Sequence, residues 1–329
     1  MRLARWLLVF AALISINPLA YAQANKPVRL GLSPWPGWFV WFWVRDGGFF
    51  AKHGANVELV WFPVYSDSLQ AFAAGQVDGN SQTLSDTVVQ AAKGVPLRIV
   101  LVNDISYGAD ALIARPQYQT VKDLKGKTVA TELGTVDHFL LLQALRRNGL
   151  KESDIRLVNM TINDAGPAFI AGKLDAAVLW EPFLSKALTE GKGKILFSSR
   201  DTPGLIPDLL VFNQRVIRER PGEIGRILAA WFDALEAWRR EPEKALTVMA
   251  RYAAITVEEY RRLLSGVKVY TLEDNLAAFE MTNSWRSLAH TGREIGRFLQ
   301  NVGYIRTVPK VSDYLEPSFV RAIRVGGKR

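Results

Sequence analysis

The chain contains no cysteine in its 329 residues, only three histidines and only four methionines. Without cysteine there can be no disulfide, no thiolate nucleophile and no thiolate-bound metal. His53, His138 and His290 lie far apart and form no His-x-x-x-His or Glu-x-x-His pattern, so the common zinc arrangements are missing too. Gly-x-Ser-x-Gly is absent, and with it the nucleophile elbow of the hydrolases. Gly-x-x-x-x-Gly-Lys-Ser/Thr and Gly-x-Gly-x-x-Gly are also absent, which removes the usual phosphate cradles. Beyond residue 22 no apolar run approaches the roughly 20 residues that span a bilayer. Lysine and arginine outnumber aspartate and glutamate by 41 to 32 but are scattered, with no basic block. That pattern fits a solvated basic surface and no nucleic-acid partner.

What is present begins with a leader. Arg2 and Arg5 precede an apolar run over residues 6–14, followed by Asn17, Pro18 and Ala20-Tyr21-Ala22. A basic start, a short apolar core and a small-x-small site make residues 1–22 a secretory signal peptide. The run is about half the length needed for a membrane anchor, roughly 20 residues. Cleavage would leave an exported, periplasmic protein with a formal net charge of +7. A composition of 49% hydrophobic and 22% charged residues is that of a folded globular protein, long enough for two lobes.

From residue 28 to 212, strand-like and helix-like segments alternate. Strands are expected at 28–32, 57–62, 77–79, 97–102, 128–131, 155–160, 176–179, 195–198 and 209–212. Helices are expected at 41–53, 68–74 with Asp67 as cap, 86–92, 136–147 and 165–171, with another opening at Glu181-Pro182. Such alternation gives mostly parallel sheets flanked by helices. After Pro221 the character is helical. Ile224, Ile227, Leu228, Trp231, Phe232, Leu235 and Trp238 trace one apolar face, and Thr256 with Glu259 forms a capping box. Further helices are expected at 293–299 and 317–323.

In an open α/β sheet, ligands bind beyond the carboxyl ends of the strands, where helix N-termini point. The strand-to-helix turns read from the sequence are 33–38, 80–86, 104–110, 132–138, 161–164, 180–182 and 205–208. None contains a lysine or arginine, yet together they hold Asp86, Asp104, Asp110, Glu132, Asp137, Asp164, Glu181 and Asp208. Asp164 and Asp137 also suit helix caps, and Glu132 and Asp208 suit solvent or a hinge. Residues 33–54, SPWPGWFVWFWVRDGGFFAKHG, carry four of the ten tryptophans. Trp35 and Trp38 flank Pro36-Gly37 in a turn and are candidates for the pocket wall. Trp41 and Trp43 should pack a helix on the sheet, Trp61 should be a strand core residue, and Trp231 and Trp238 should be core.

Five segments then carry a resemblance: GFFAKHG (48–54), FAAGQVDG (72–79), LKGKTVATELGTVDHFLLLQAL (124–145), GKLDAAVLWEPF (172–183) and PGLIPDLLVF (203–212). In this order they resemble the periplasmic substrate-binding proteins of nitrate/sulfonate/taurine-type ABC transporters, a group akin to the thiamine-pyrimidine-precursor binding proteins. The resemblance covers nearly all of the mature chain. It implies a type II-like periplasmic-binding-protein fold, with two α/β lobes of mixed, mostly parallel sheets and a helical C-terminal tail on lobe one. Lobe one would comprise 23–113 and 208–329, and lobe two 114–207, with crossings near Ala114 and Pro207. The protein would be a monomer without cofactor or catalysis, closing on a small solute and delivering it to a membrane permease. The residues expected to meet the solute are Trp35, Trp38, Ser81, Gln82, Thr83, Asp86, Asp110, Thr135, Asp137, His138, Trp180 and Glu181.

The acid bias of the turns disfavours a bare oxyanion such as nitrate, because a buried anion suffers from nearby carboxylates. Aromatic faces favour cations. An amine-bearing or zwitterionic solute is therefore expected, taurine-like, with Glu181 as its first partner and Asp110 or Asp137 as the second. Replacing Trp35 and Trp38 by alanine should abolish binding and spare the fold. Three other readings compete. One is a binder of a simple oxyanion or an alkanesulfonate, since helix N-termini can donate without any basic residue. Another is an enzyme related to thiamine-pyrimidine synthesis, opposed by the absence of cysteine and by export. The last is a secreted sensor or solute-delivery subunit of a membrane receptor, which would carry the same features.

Overall fold

The computed structural model describes residues 26–323; the expected signal peptide lies outside the described residues. The first unit runs β1 (Val28–Leu32), α1 (Val40–Asp46), α2 (Phe49–Lys52), β2 (Val57–Trp61), α3 (Tyr65–Ala73), β3 (Gly79–Thr83), α4 (Leu84–Ala92) and β4 (Leu97–Ser106). The second runs β5 (Asp110–Ala114), β6 (Thr128–Thr131), α5 (Val136–Arg147), β7 (Arg156–Asn159), α6 (Ile162–Ile170), β8 (Ala176–Trp180), α7 (Phe183–Thr189) and β9 (Lys194–Ser198). The chain then returns through β10 (Pro207–Asn213) to α8 (Gln214–Glu219), α9 (Pro221–Arg240), α10 (Pro242–Ala253) and α11 (Val257–Leu264). It closes with β11 (Val267–Val269), α12 (Leu272–Ala278), α13 (Leu288–Asn301) and α14 (Ser318–Ala322).

Two mixed sheets result, ordered β11-β4-β10-β3-β1-β2 and β7-β6-β8-β5-β9. In the first, β1, β2, β3 and β4 share a direction that β10 and β11 oppose. In the second, β5 alone opposes the others. The opposing strands β5 and β10 each enter their sheet directly after a crossing. Their first residues therefore lie on the same rim as the carboxyl ends of their neighbours, and this places the site. The outward crossing occupies 107–109, ahead of Ala114, because Asp110–Ala114 pairs with β8 and β9 in the second sheet. The two crossings are tied together: the Ser106 and Ser199 hydroxyls lie 2.8 Å apart, and Ser199 Oγ accepts the Gly108 N–H at 2.6 Å.

Several local expectations change. The helix expected over 41–53 is broken at Gly47-Gly48, where Gly48 has φ +78°, a conformation that side-chain-bearing residues seldom adopt. The strand expected at 77–79 lies at Gly79–Thr83 instead. Its polar run read as a turn, but β1 and β10 pair with it on either side, and its side-chain amides bond one another and α4, with only Asn80 Oδ1 left without a partner among the described residues. Asn80 Nδ2 donates to Gln82 Oε1 (3.1 Å), and Gln82 Nε2 donates to Thr87 Oγ1 (2.9 Å) and Gln90 Oε1 (3.0 Å). Burial is tolerated when such groups are paired. Asp67 lies in the first turn of α3 and does not cap it, because the helix starts earlier, at Tyr65.

The aromatic core joins α1 to the C-terminal helices more than to the sheet. Trp41 meets Trp231 at 4.3 Å between ring centroids, and Trp43 Nε1 donates to the Ala234 carbonyl oxygen at 2.9 Å. Such rings each bury about 150–250 Å² and dominate core energetics. Trp61, on edge strand β2, is 41% exposed and leans on Phe39 and Phe42. Trp238 is half-buried and lines a surface groove with Phe232, Leu235 and Leu272. The tail packs on the first unit, where Ile99 N–H donates to Tyr314 O at 2.7 Å. It also reaches the second unit through the edge-to-face pair Phe139–Phe298.

Candidate functional site

The strand directions converge a set of side chains on one rim. In the first sheet, Asp208 is the register partner of both Asp104 on β4 and Thr83 on β3. In the second, Asp110 is the partner of Trp180 on β8. Between these rows lies a tight cavity of about 10 Å³, bounded by Trp35, Trp38, Tyr65, Thr83, Asp110, Val136, Trp180, Ile206, Asp208 and Pro34. Among the described residues no lysine or arginine lines it.

Its walls are tied down. Trp35 Nε1 donates to Asp104 Oδ1 at 2.9 Å, and Tyr260 Oη donates to the Pro36 carbonyl oxygen, which holds the turn between β1 and α1 in place. Gly37 is required in that turn, because a Cβ there would lie 1.9 Å from Asp104 Oδ2. Trp38 packs on Tyr65 at 5.5 Å, and Tyr65 meets Trp180 edge-to-face at 5.7 Å. Tyr65 Oη donates to Asp86 Oδ2 at 2.7 Å and accepts the Thr83 N–H at 3.0 Å. Thr83 Oγ1 also donates to Asp86 Oδ2, at 2.8 Å.

The acids behind and within the cavity are buried. Burial pushes Asp86 up to about 7, partly held back by the Tyr65 and Thr83 hydroxyls. Burial likewise raises Asp110 to about 7, with Glu181 and Asp86 adding repulsion. Asp104 rises to about 8 through burial, against the indole N–H of Trp35, and Asp208 is pushed well up by burial and by the charges of Asp104 and Asp110. Asp137 is pushed well up by burial and by its acidic neighbours, and neither of its oxygens has a hydrogen-bond partner among the described residues. One oxygen each of Asp104, Asp110 and Asp208 is likewise unpartnered, as is Trp38 Nε1. Two like charges facing each other cannot both ionise cheaply, so Asp104 and Asp208 hold a proton between them near neutral pH. Among the described residues, no group of three or more His, Asp or Glu side chains is arranged to hold a metal ion.

Of the expected contact residues, the structure brings Trp35, Trp38, Thr83, Asp110 and Trp180 to the cavity, with Asp86 and Asp137 in its immediate shell. Others are placed elsewhere. Glu181 is spent on the start of α7, accepting from Ser185 Oγ at 2.6 Å and from Ser185 N–H at 3.0 Å. Gln82 faces the opposite side of β3, since strand side chains alternate, while Ser81 lies deeper on the Thr83 side with its hydroxyl unpartnered. Thr135 Oγ1 closes its own turn onto Glu132 O at 2.8 Å. His138 points to the outer groove, 2.7 Å from Glu152 Oε2 and against the Tyr304 ring. Glu132 and Asp208 are buried, not solvent-facing. The segment 104–110 holds the end of β4, the crossing at 107–109 and the start of β5, and is not a strand-to-helix turn. Tyr65 was missed because the turn after β2 holds no acid before it, although it follows a strand as the other turns do.

Comparison with known proteins agrees with this architecture. The NMT1/THI5 like family matches residues 40–245. The "Putative aliphatic sulfonates-binding protein" of Escherichia coli (strain K12) is 30% identical over 250 residues, covering 74% of this chain and 77% of that protein. The taurine-binding periplasmic protein of the same organism is 24% identical over 289 residues, covering 84% and 87%. Among solved structures, the periplasmic aliphatic sulphonate binding protein SsuA from Escherichia coli superimposes with a TM-score of 0.72 at 22% identity, covering 93% of this chain and 95% of that one. The chain thus has the periplasmic-binding-protein fold and belongs to the NMT1/THI5 like family.

Proposed function

We propose that this protein is the periplasmic solute-binding component of an ABC importer and takes a small amine-bearing solute, zwitterions such as taurine included. The reading rests above all on one observation: an aromatic-walled cavity between the two sheets whose charged lining is wholly acidic. The sulfonate- and taurine-binding relatives supply the transport context. The two sheets would be the cores of two lobes that close over the solute and together present a surface to a permease. Among the described residues no helix is long and apolar enough to cross a membrane. An alkanesulfonate is the second reading, favoured by the relatives' names and opposed by the charge of the lining.

A thermal-shift screen over amines, aminosulfonates, alkanesulfonates, nitrate, ureas and pyrimidines tests this directly. A ligand held at 100 times its dissociation constant stabilises by about 2.7 kcal/mol, a clear melting shift. Amine-bearing compounds should give it. A shift from nitrate or ethanesulfonate and from no amine would overturn the amine reading.

A further inference from the structure

The relatives' names point to sulfonates, and a sulfonate needs hydrogen-bond donors. In α/β proteins these are the helix N-termini facing the cleft. Two of those termini already carry the chain's own buried carboxylates, while α1 and α7 have no acid in their first turns. Asp86 stands in the first turn of α4, buried and bonded to Tyr65 and Thr83. Asp137 stands in the first turn of α5, 1% exposed and with both oxygens unpartnered. A second anion brought to these ends would meet like charge at low dielectric.

The cavity itself offers mainly acceptors. Asp110 and Asp208, each 2% exposed, line it; one Asp110 oxygen has no partner, while Asp208 faces Asp104 across a shared proton that a cation could replace. Among the described residues its one unpartnered side-chain donor is Trp38 Nε1, while the Thr83 hydroxyl is committed to Asp86. Unpartnered carboxylate oxygens this deeply buried call for N–H donors carrying positive charge. The rings of Trp35, Trp38, Tyr65 and Trp180 supply faces that attract the same charge. At about 10 Å³ the enclosed space is far below the roughly 300–1,000 Å³ usual for ligand pockets, so the walls must part to admit a solute.

We infer that the cleft seats a small organic cation of the alkylammonium or guanidinium type that bears no anionic group, its N–H donors bonded to Asp110 and Asp208. This narrows the proposed amine-bearing class by leaving out its zwitterions, and it rests on the solute-binding reading. Asp110 is faced by Asp86, Asp104, Asp137, Asp208 and Glu181, so the cluster holds protons near neutral pH. An arriving cation replaces them as the countercharge, and binding releases protons.

The test is calorimetry on the full mature chain with guanidinium chloride, ethylammonium chloride, taurine and sodium ethanesulfonate. Titrations run at pH 6 and pH 8, in buffers of different ionisation enthalpy. At least one cation should bind 100-fold or more tightly than taurine or ethanesulfonate, tenfold or more tightly at pH 8 than at pH 6, with net proton release. Asp110→Asn, nearly isosteric, should weaken that cation at least tenfold while circular dichroism and the thermal transition stay intact. Cation affinity indifferent to both pH and Asp110→Asn would overturn the inference. Tight taurine or ethanesulfonate binding that Trp180→Phe weakens would also overturn it, and would leave the solute-binding reading standing. Binding of none of the four probes by a folded protein would overturn both.

Discussion

Trp180, the last residue of β8 in the second sheet, donates its indole N–H to the backbone carbonyl of Pro34, just beyond β1 in the first sheet, at 3.0 Å. The same ring stands edge-on to Tyr65. One side chain thus both walls the cavity and fastens the two halves across it.

Trp180→Phe keeps an aromatic wall but removes the indole N–H together with part of the ring. A net hydrogen bond of this kind contributes about 1 kcal/mol, and it forms only when the halves are together. Solute affinity should fall about fivefold, mainly through faster release, with a nearly unchanged melting temperature. Stopped-flow tryptophan fluorescence reads the release rate. An unchanged rate would mean the bond is not part of closure.

Trp35 and Trp38 are each only 4% exposed. Truncating such side chains to alanine costs about 3–5 kcal/mol apiece, so the expectation that a double alanine variant would spare the fold does not survive their burial. Trp35→Phe is the sharper probe. It preserves most of the packing but strips Asp104 Oδ1 of its donor. Solute binding should drop at least tenfold while the fold persists, as read by circular dichroism alongside calorimetry.

The buried acids set an unusual pH dependence. Unfolded aspartates lose their protons near 3.8, whereas Asp86 and Asp110 keep theirs to about 7 and Asp104 to about 8. Between those limits the folded state binds more protons, so stability falls as pH rises. The contribution is complete below about pH 4 and lost above about pH 8. The unliganded protein should melt at progressively lower temperature from pH 4.5 to pH 8.5 by scanning fluorimetry. Asp208→Asn, which removes a charge facing Asp104 and Asp110, should raise the melting temperature at pH 8 while weakening solute binding. A flat profile would show that these acids are charge-compensated.

Gly37→Ala tests the turn between β1 and α1. The added methyl would fall 1.9 Å from Asp104 Oδ2 and 2.3 Å from its Cγ. The carboxylate must then swing out of the Trp35 bond or the turn must move. Overpacking of this kind costs about 1–3 kcal/mol, read as a lower midpoint in urea. Solute affinity should fall with it, because Trp35 loses its anchor.

Much of this was legible in the linear sequence. Alternating apolar runs punctuated by Gly54, Gly75, Gly94, Gly149 and Gly172 marked the α/β architecture, since each element needs only its own periodicity and a stop. The apolar stripe from Ile224 to Trp238 announced α9 for the same reason. The bias to acids in the turns was visible because strand-to-helix turns share one rim whatever the details. What the residue string could not decide was which acids face the cavity. Glu181 and Asp110 look alike in sequence. Yet Glu181 bonds Ser185 four residues on, whereas Asp110 is aimed by an antiparallel strand entering from the other sheet. Strand order likewise turned the polar segment 79–83 from an apparent turn into a buried central strand, because only neighbours distant in sequence, β1 and β10, could complete its hydrogen bonds. Local periodicity shaped the elements; long-range pairing set the directions of β5 and β10, and with them the charge of the site.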